Sequence, residues 1–342
     1  MKRHNDLFEK IVDMDNLRQA YADVRRHKTR RSDVIKFDTQ VESNLKAIRD
    51  MLITKSYVPS KYRSKTVYEP KKREIYLLPL YPDKVIHHAV MNIVAPIWEN
   101  LFIADTYACL PDRGLHEGSY RTSEFVQRNT YCLKCDVSKF YASVDHDILY
   151  EIVQRKIKCK DTLHVLKTII YSFPGGKNIP IGNYTSQWLG NLYLNELDMM
   201  VKHQLKVKHY VRYCDDFLLF SDDKAFLNTC LQHIIEFLET RLLLRLSKQD
   251  LFPVSRGVDF LGYRHFRGYK LLRKSTAKKI KRRIRSMARL HEAGRLHNYD
   301  KALSVLGSYY GWAQHANSHN FLVATRLQDL RHEFYGETIF RP

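Results

Sequence analysis

The sequence has no apolar run approaching the roughly 18 residues of a membrane-spanning helix. Its start, "MKRHNDLFEK", is basic but lacks the apolar stretch of a signal peptide. The six cysteines show no disulfide-framework spacing, and five lie within or beside apolar segments. Reduced, packed thiols in a cytoplasmic setting are expected. Internal repeats and low-complexity tracts are absent. Acidic residues are in deficit, with 37 Asp and Glu against 57 Lys and Arg in 342 residues, a net charge of +20. That balance points to a polyanionic partner, with nucleic acid ahead of an anionic membrane surface. What is present is a 44% hydrophobic composition, which suits a globular chain of two or three packed subdomains.

Pattern places the elements. Residues 5–55 read as helical, and 60–80 as a hairpin turning at Glu69-Pro70-Lys71. Residues 83–102 carry apolar side chains at helical spacing. "YCLKCDVSKFYASVD" (131–145) reads as a strand and a turn, followed by a helix over 146–157 with Asp145 as N-cap. Helices are expected at 186–205 and 223–244, and a short strand at 257–263. Arg264 to Arg285 holds 11 Lys or Arg and no acid, and the rest reads as helical. The fold class is α+β, an antiparallel strand set with helices on one face and a basic helical C-terminal unit.

"HYVRYCDDFLLFSDD" (209–223) sets two carboxylates, Asp215 and Asp216, between strand-like apolar runs. The plain alternative is an ordinary hairpin turn, where Asp is common. Asp222-Asp223 precedes a helical run and reads as a helix cap. Asp136 ends the alternating "YCLKCD". Two-metal phosphoryl transfer needs carboxylates from separate strands converging on ions roughly 3.5–4 Å apart, and magnesium favours oxygen ligands. An acid at a strand end and an acid in a neighbouring hairpin would supply them. Three features favour this over the plain turn: Phe140-Tyr141 just past Asp136, the glycine-marked turn and helix of 179–198, and the basic "EPKKREI" upstream. In the last, Lys71, Lys72 and Arg73 could grip a triphosphate. Cys132-Cys135 is a CxxC, but it has no partner pair at zinc-ligand spacing.

The motif order Asp136…Phe140-Tyr141, Gly182…Ser186, Tyr213-Cys214-Asp215-Asp216, Lys248, Phe260-Leu261-Gly262-Tyr263 resembles the reverse transcriptases over roughly 57–320. "IGNYTSQ" (181–187), "KVIHHAVMNIVAPIWE", "TYACLPDRGLHEG" and "GWAQHANSHN" resemble the enzymes of diversity-generating retroelements. One departure is Leu110, where the subfamily pattern has Arg. The resemblance implies a right-hand polymerase fold: an N-terminal helical extension (1–55), fingers (56–130), a palm with an antiparallel sheet (131–263, with a fingers insertion around 150–185) and a basic helical thumb (264–342). It leaves no room for a nuclease domain after the thumb. It implies copying of a template-repeat RNA into cDNA with errors at adenines. Two Mg2+ ions, dNTP substrates, the RNA–cDNA duplex and a small, basic, oligomeric accessory protein go with that activity, and no membrane partner.

The resemblance also distributes roles. Asp136 and Asp215, with Val137, would hold the ions, and Asp216 would support the site electrostatically. Lys248 is either a general acid toward pyrophosphate or a surface lysine. Arg73, Lys71, Phe140, Tyr141, Ile181, Gly182 and Gln187 would bind the nucleotide. Tyr141 would exclude a 2′-hydroxyl unless it is a plain core aromatic, and Phe140 is core or pocket wall. Gly182 would let the backbone approach the nascent base pair. Ile181, Gln187 and Arg73 would loosen the fit around the templating base, since Gln187 stands where more accurate relatives carry proline. Phe260, Leu261, Gly262 and Tyr263 would form the primer grip. Arg273, Lys274, Lys278 and Arg282 would hold the duplex through its phosphates. The competing readings are a defence-associated or retron reverse transcriptase, and a catalytically silent RNA-binding scaffold.

Overall fold

The computed structural model describes residues 3–68 and 72–339. Four helices open the chain: α1 (Phe8–Val12), α2 (Met14–Arg25), α3 (Ser32–Asp38) and α4 (Val41–Ile53). They match the helical reading of 5–55. Asp13 caps α2 by accepting from the N–H groups of Asp15 and Asn16. Strands β1 (Arg63–Val67) and β2 (Arg73–Leu77) form the expected antiparallel hairpin. Its turn, Glu69-Pro70-Lys71, lies outside the described residues. Two amphipathic helices follow, α5 (Val85–Glu99) and α6 (Leu115–Arg128).

Next come β3 (Tyr131–Val137), a single-turn helix α7 (Phe140–Ser143) where only a turn was expected, and α8 (His146–Gln154). Asp145 caps α8 as its position predicts, accepting from Asp147 and Ile148 at 3.1 and 3.3 Å. Helices α9 (Lys160–Ile170) and α10 (Tyr184–Met199) lead into the hairpin β4 (His209–Tyr213) and β5 (Asp216–Ser221). Asp223 then caps α11 (Lys224–Arg241) by accepting from Phe226 N–H at 3.0 Å. Asp222 accepts from the Thr130 hydroxyl at 2.6 Å. Both members of the second Asp pair are therefore structural.

The chain continues through β6 (Leu246–Pro253), β7 (Val258–Phe260), β8 (Tyr263–Phe266) and β9 (Tyr269–Leu272). This corrects the reading of 257–263 as one strand and of everything past 264 as helical. Gly262 and Gly268, at φ +84° and +83°, make two tight turns that only glycine adopts easily. Tyr263 and His265 alternate inward between exposed or half-exposed neighbours. The basic residues of this stretch sit on a sheet first. The helical part begins at α12 (Lys274–Glu292) and continues through α13 (Tyr299–Gln314), α14 (His319–Thr325) and α15 (Leu327–Ile339).

The central sheet is antiparallel, in the order β4-β5-β3-β6. One face packs on helices, burying Leu133, Cys135, Phe217 and Leu219 in a core shared with α1–α5 and α8–α11. The other buries Cys132, Val211, Leu218 and Phe220 against Phe125 of α6 and Phe260 of β7. A strand covered on both faces reads as a continuous apolar run, which is why "FLLF" does not alternate. The same geometry sends Cys132 and Cys135 to opposite faces, so that CxxC cannot chelate one ion. The C-terminal helices carry a core of their own around Ile284, Leu306 and Phe334. No helix among the described residues is long and apolar enough to cross a membrane.

Candidate active site

Register brings the carboxylates together. On β3, Asp136 lies opposite Asp216 of β5 on one side and opposite Lys248 of β6 on the other. Cross-strand partners face the same way, so all three share one face at one end of the sheet. Lys134, two residues earlier on β3, shares it too. A bulge between Asp136 and Val137 ends the regular pairing with β6 there. Asp215 occupies the hairpin turn, after Cys214 at φ +53°. The Val137 N–H donates to the Asp215 carbonyl at 3.2 Å, which docks the turn on the end of β3. The Ser247 hydroxyl donates to the Asp136 carboxylate.

Charge in this corner is incompletely balanced. Burial pushes the Asp216 carboxyl up to about 6, Asp136 and Asp215 push it the same way, and Lys134 pulls against them. A concentration of partly buried carboxylates fits hard divalent cations. Among the described residues no group of three His, Cys, Asp or Glu side chains encloses an ion site. That is compatible with magnesium, which is held by one or two carboxylates and keeps waters and substrate phosphates for the rest of its shell. Val137 is buried, so only its backbone could serve an ion. Lys248 is exposed on the same face, which suits either role expected of it.

The hairpin is held from beneath by residues outside the motif series. Arg212 is fully buried. Its guanidinium donates to both carboxylate oxygens of Asp198 on α10, at 2.8 and 2.6 Å, and to Asn191 Oδ1 and the Cys214 carbonyl at 3.1 Å each. Tyr210 donates to Asp198 at 2.7 Å. The signals in the sequence were an arginine inside an apolar strand, and an Asp and Asn inside an apolar helix.

Tyr141 packs on α10 beside Gly190, where a Cβ would sit 3.4 Å from its ring. Burial raises its phenol pKa, and Cys214, Cys109 and Asp215 add to the rise, which puts the hydroxyl near the Cys214-Asp215 turn. Phe140 takes the core place of its two expected ones. It is 2% exposed, behind Tyr141 with ring centroids 5.2 Å apart, so it supports the site without lining it.

Arg73 and Lys72 are exposed at the start of β2, while Lys71 lies outside the described residues. The Tyr76 N–H donates to the Ile181 carbonyl at 3.0 Å, which ties the 181–182 turn to β2. Gly182 has φ +118°, and a Cβ there would fall 2.7 Å from the Tyr76 carbonyl. Its close approach within the chain is to the β1–β2 hairpin. Gln187 is exposed in the first turn of α10, and Ser186 is buried.

The stretch 260–263 is also corrected in part. Phe260 and Tyr263 are core side chains, and the Tyr263 hydroxyl donates to the Trp312 carbonyl at 3.0 Å. Only the turn at Leu261-Gly262 is half exposed, with Trp312 packed where a Gly262 Cβ would be. Arg273 pairs with Asp259, which leaves Lys274, Lys278 and Arg282 as an exposed row on α12. Leu110 is buried in the main core, so this position presents no guanidinium.

A family model described as reverse transcriptase (RNA-dependent DNA polymerase) matches residues 64–265, more than half of the chain. The chain belongs to the reverse transcriptase family. It is an RNA-directed DNA polymerase with that family's right-hand fold. This reverse transcriptase is 26% identical over 274 residues to Protein YkfC of Escherichia coli K12, covering 65% of this chain and 71% of that one. It is 25% identical over 181 residues to the group II intron-encoded protein LtrA of Lactococcus lactis subsp. cremoris, covering 49% of this chain and 29% of LtrA. It is 20% identical over 210 residues to nuclear intron maturase 4, mitochondrial, of Arabidopsis thaliana, covering 57% and 25%. The enzyme thus has distant homology to group II intron-encoded proteins and spans under a third of the two intron proteins. Among solved structures, telomerase from Candida albicans aligns with a TM-score of 0.48 and 13% identity, over 82% of this chain and 61% of that one.

Proposed function

We propose that this reverse transcriptase copies a template-repeat RNA into cDNA with errors at template adenines, as part of a diversity-generating retroelement. The observation that carries the catalytic half is the register that brings Asp136, Asp215 and Asp216 to one end of the sheet. In this reading Asp136 and Asp215, with the Val137 carbonyl, hold two magnesium ions. When bound, the ions supply positive charge to the primer 3′-oxygen and the dNTP phosphates. Ser247 fixes the Asp136 carboxylate, and Asp216 adds negative potential behind it. Tyr141 faces the sugar and selects deoxynucleotides. Arg73 and Lys71 bind the triphosphate, and Lys248 gives a proton to the pyrophosphate. The turn at Leu261-Gly262 touches the primer, and the α12 row holds the duplex backbone. The unit boundaries are those the resemblance implies, with the thumb helices starting at Lys274.

The retroelement half rests on "IGNYTSQ" at 181–187, with Gln187 exposed on α10. A small basic accessory protein and a cytoplasmic setting in a bacterial or phage-infected cell belong to the same reading. Primer extension on a simple RNA template with magnesium and dNTPs tests the chemistry. No incorporation, even with cognate RNA and accessory protein, would favour a silent scaffold. Sequencing the cDNA made by Gln187→Pro, with Gln187→Ala as control, tests the subfamily reading. Error rates at template adenines should fall in the proline variant, and unchanged rates would sink that assignment of Gln187.

A further inference from the structure

Two cysteines from distant parts of the chain meet at the catalytic turn. The segment before Cys109 runs beside β4. Thr106 bridges Arg212 in parallel, Tyr107 N–H donates to the Arg212 carbonyl at 3.1 Å, and Arg212 N–H donates to the Asp105 carbonyl at 3.0 Å. Side chains then tie the ends together. Asn191 donates to the Ala108 carbonyl at 2.8 Å, while Arg212 donates to Asn191 and to the Cys214 carbonyl. These ties set the Cys109 and Cys214 side chains next to each other, each perturbing the other's thiol. Both residues hold left-handed backbone, at φ +56° and +53°, which non-glycine residues seldom adopt without outside constraint. Cys109 is exposed and Cys214 half-buried, whereas Cys132, Cys135, Cys159 and Cys230 are buried. No step of polymerisation uses a thiol.

We propose that Cys109 and Cys214 form a reversible redox modification site, at which a low-molecular-weight disulfide of the glutathione class oxidises the pair and stops polymerisation. Cys109, the accessible member, attacks one sulfur of the small disulfide as its thiolate. That S–S bond breaks, one small thiol leaves, and a mixed disulfide forms on Cys109. The Cys214 thiolate then attacks the Cys109 sulfur and displaces the second small thiol. The two protein thiols lose two electrons and two protons, and the small disulfide gains them as two thiols. Closing the bond draws the sulfurs to about 2.05 Å, well inside any non-bonded separation. The turn carrying Asp215 must follow, and the Tyr141 phenol senses the same two thiols.

The inhibition rests on the catalytic reading above; formation of the bond does not. The full-length protein is incubated with oxidised glutathione, alkylated, digested and read by mass spectrometry, with primer extension run in parallel. The expected product is a peptide pair linking Cys109 to Cys214, two hydrogens lighter than the reduced pair. Activity falls about tenfold or more, since a 1 Å displacement of a positioned group can cost about a hundredfold, and dithiothreitol restores it. Cys109→Ser keeps its untreated activity and resists the oxidant. Absence of the linked pair overturns the proposal, as does a linked enzyme that stays active or a Cys109→Ser enzyme that is inactivated like the wild type. An enzyme inactive even in dithiothreitol would count against the catalytic reading, and the peptide map would still decide the site.

Discussion

At the scale of the residue, the two aspartates of "YCDD" are not equivalent. Asp215 lies in the turn, and Asp216 is the first residue of β5, paired with Asp136. Asp136→Asn should lower primer extension by about a hundredfold to a thousandfold, the loss typical of a group aimed at developing charge. Asp216→Asn should cost less, because in the proposed reading Asp136 and Asp215 hold the ions and Asp216 acts only through its charge. Steady-state incorporation on a fixed template–primer measures both. Beneath them, Arg212 and Asp198 are a fully buried ion pair. Arg212→Met alone leaves the Asp198 charge unpaired and should destabilise the fold by about 3–5 kcal/mol. Adding Asp198→Leu should recover part of that. Urea unfolding of the three proteins gives the comparison, and a double variant no more stable than Arg212→Met would contradict the pairing argument.

At the scale of the element, α12 separates two jobs by face. Ile280, Ile284 and Met287 are buried in the C-terminal core, while Lys274, Lys278 and Arg282 recur every fourth residue on the exposed side. Replacing all three by Ala should leave folding nearly unchanged and weaken template–primer binding. The slope of log affinity against log salt should shrink by roughly 0.7–0.9 for each phosphate that is no longer neutralised. Filter binding across a salt series measures it, and equal slopes in variant and wild type would remove α12 from the duplex interface. The helices, the hairpins and the helix caps at Asp145 and Asp223 were legible in the sequence, because periodicity and capping chemistry are local. The division of 257–272 into three strands was not. Its turns depend on left-handed glycines whose surroundings, such as Trp312 against Gly262, come from a helix about 50 residues away in sequence.

At the scale of the whole molecule, burial of histidine sets an acid limit. Burial holds His87 down to about 3, His88 to about 4 and His265 to about 3. His87 meets the Thr185 hydroxyl at 3.0 Å, and His265 meets the Ser123 hydroxyl at 2.8 Å. Between about pH 6.5 and these values the unfolded chain binds protons that the folded chain refuses. Their stability is therefore complete above about 6.5 and lost as pH falls toward 4. Asp216 acts in the opposite sense, gaining as pH falls through about 6, but it is one group against three. Urea midpoints should drop from pH 7 to pH 5, and His87→Gln with His265→Gln should flatten that drop. A midpoint independent of pH in the wild type would contradict the burial of neutral imidazoles.

The sequence by itself determined most of the helices and the two hairpins, the basic character and the order of the motifs. Each of these depends on residues near one another in the chain or on net composition. Only the tertiary structure decided which motif residues face outward. Phe140, Phe260 and Tyr263 lie in a motif series yet belong to the core, while Tyr141, Asp136 and Asp215 remain accessible or half-accessible. It also decided what stands beneath the Cys214-Asp215 turn. Arg212, Asp198 and Asn191 are separated by up to 21 residues, and Ala108 by 83 residues from Asn191. Their hydrogen bonds exist because a two-sided sheet and the α10 helix exclude water from that junction, where an unpaired polar group would be costly.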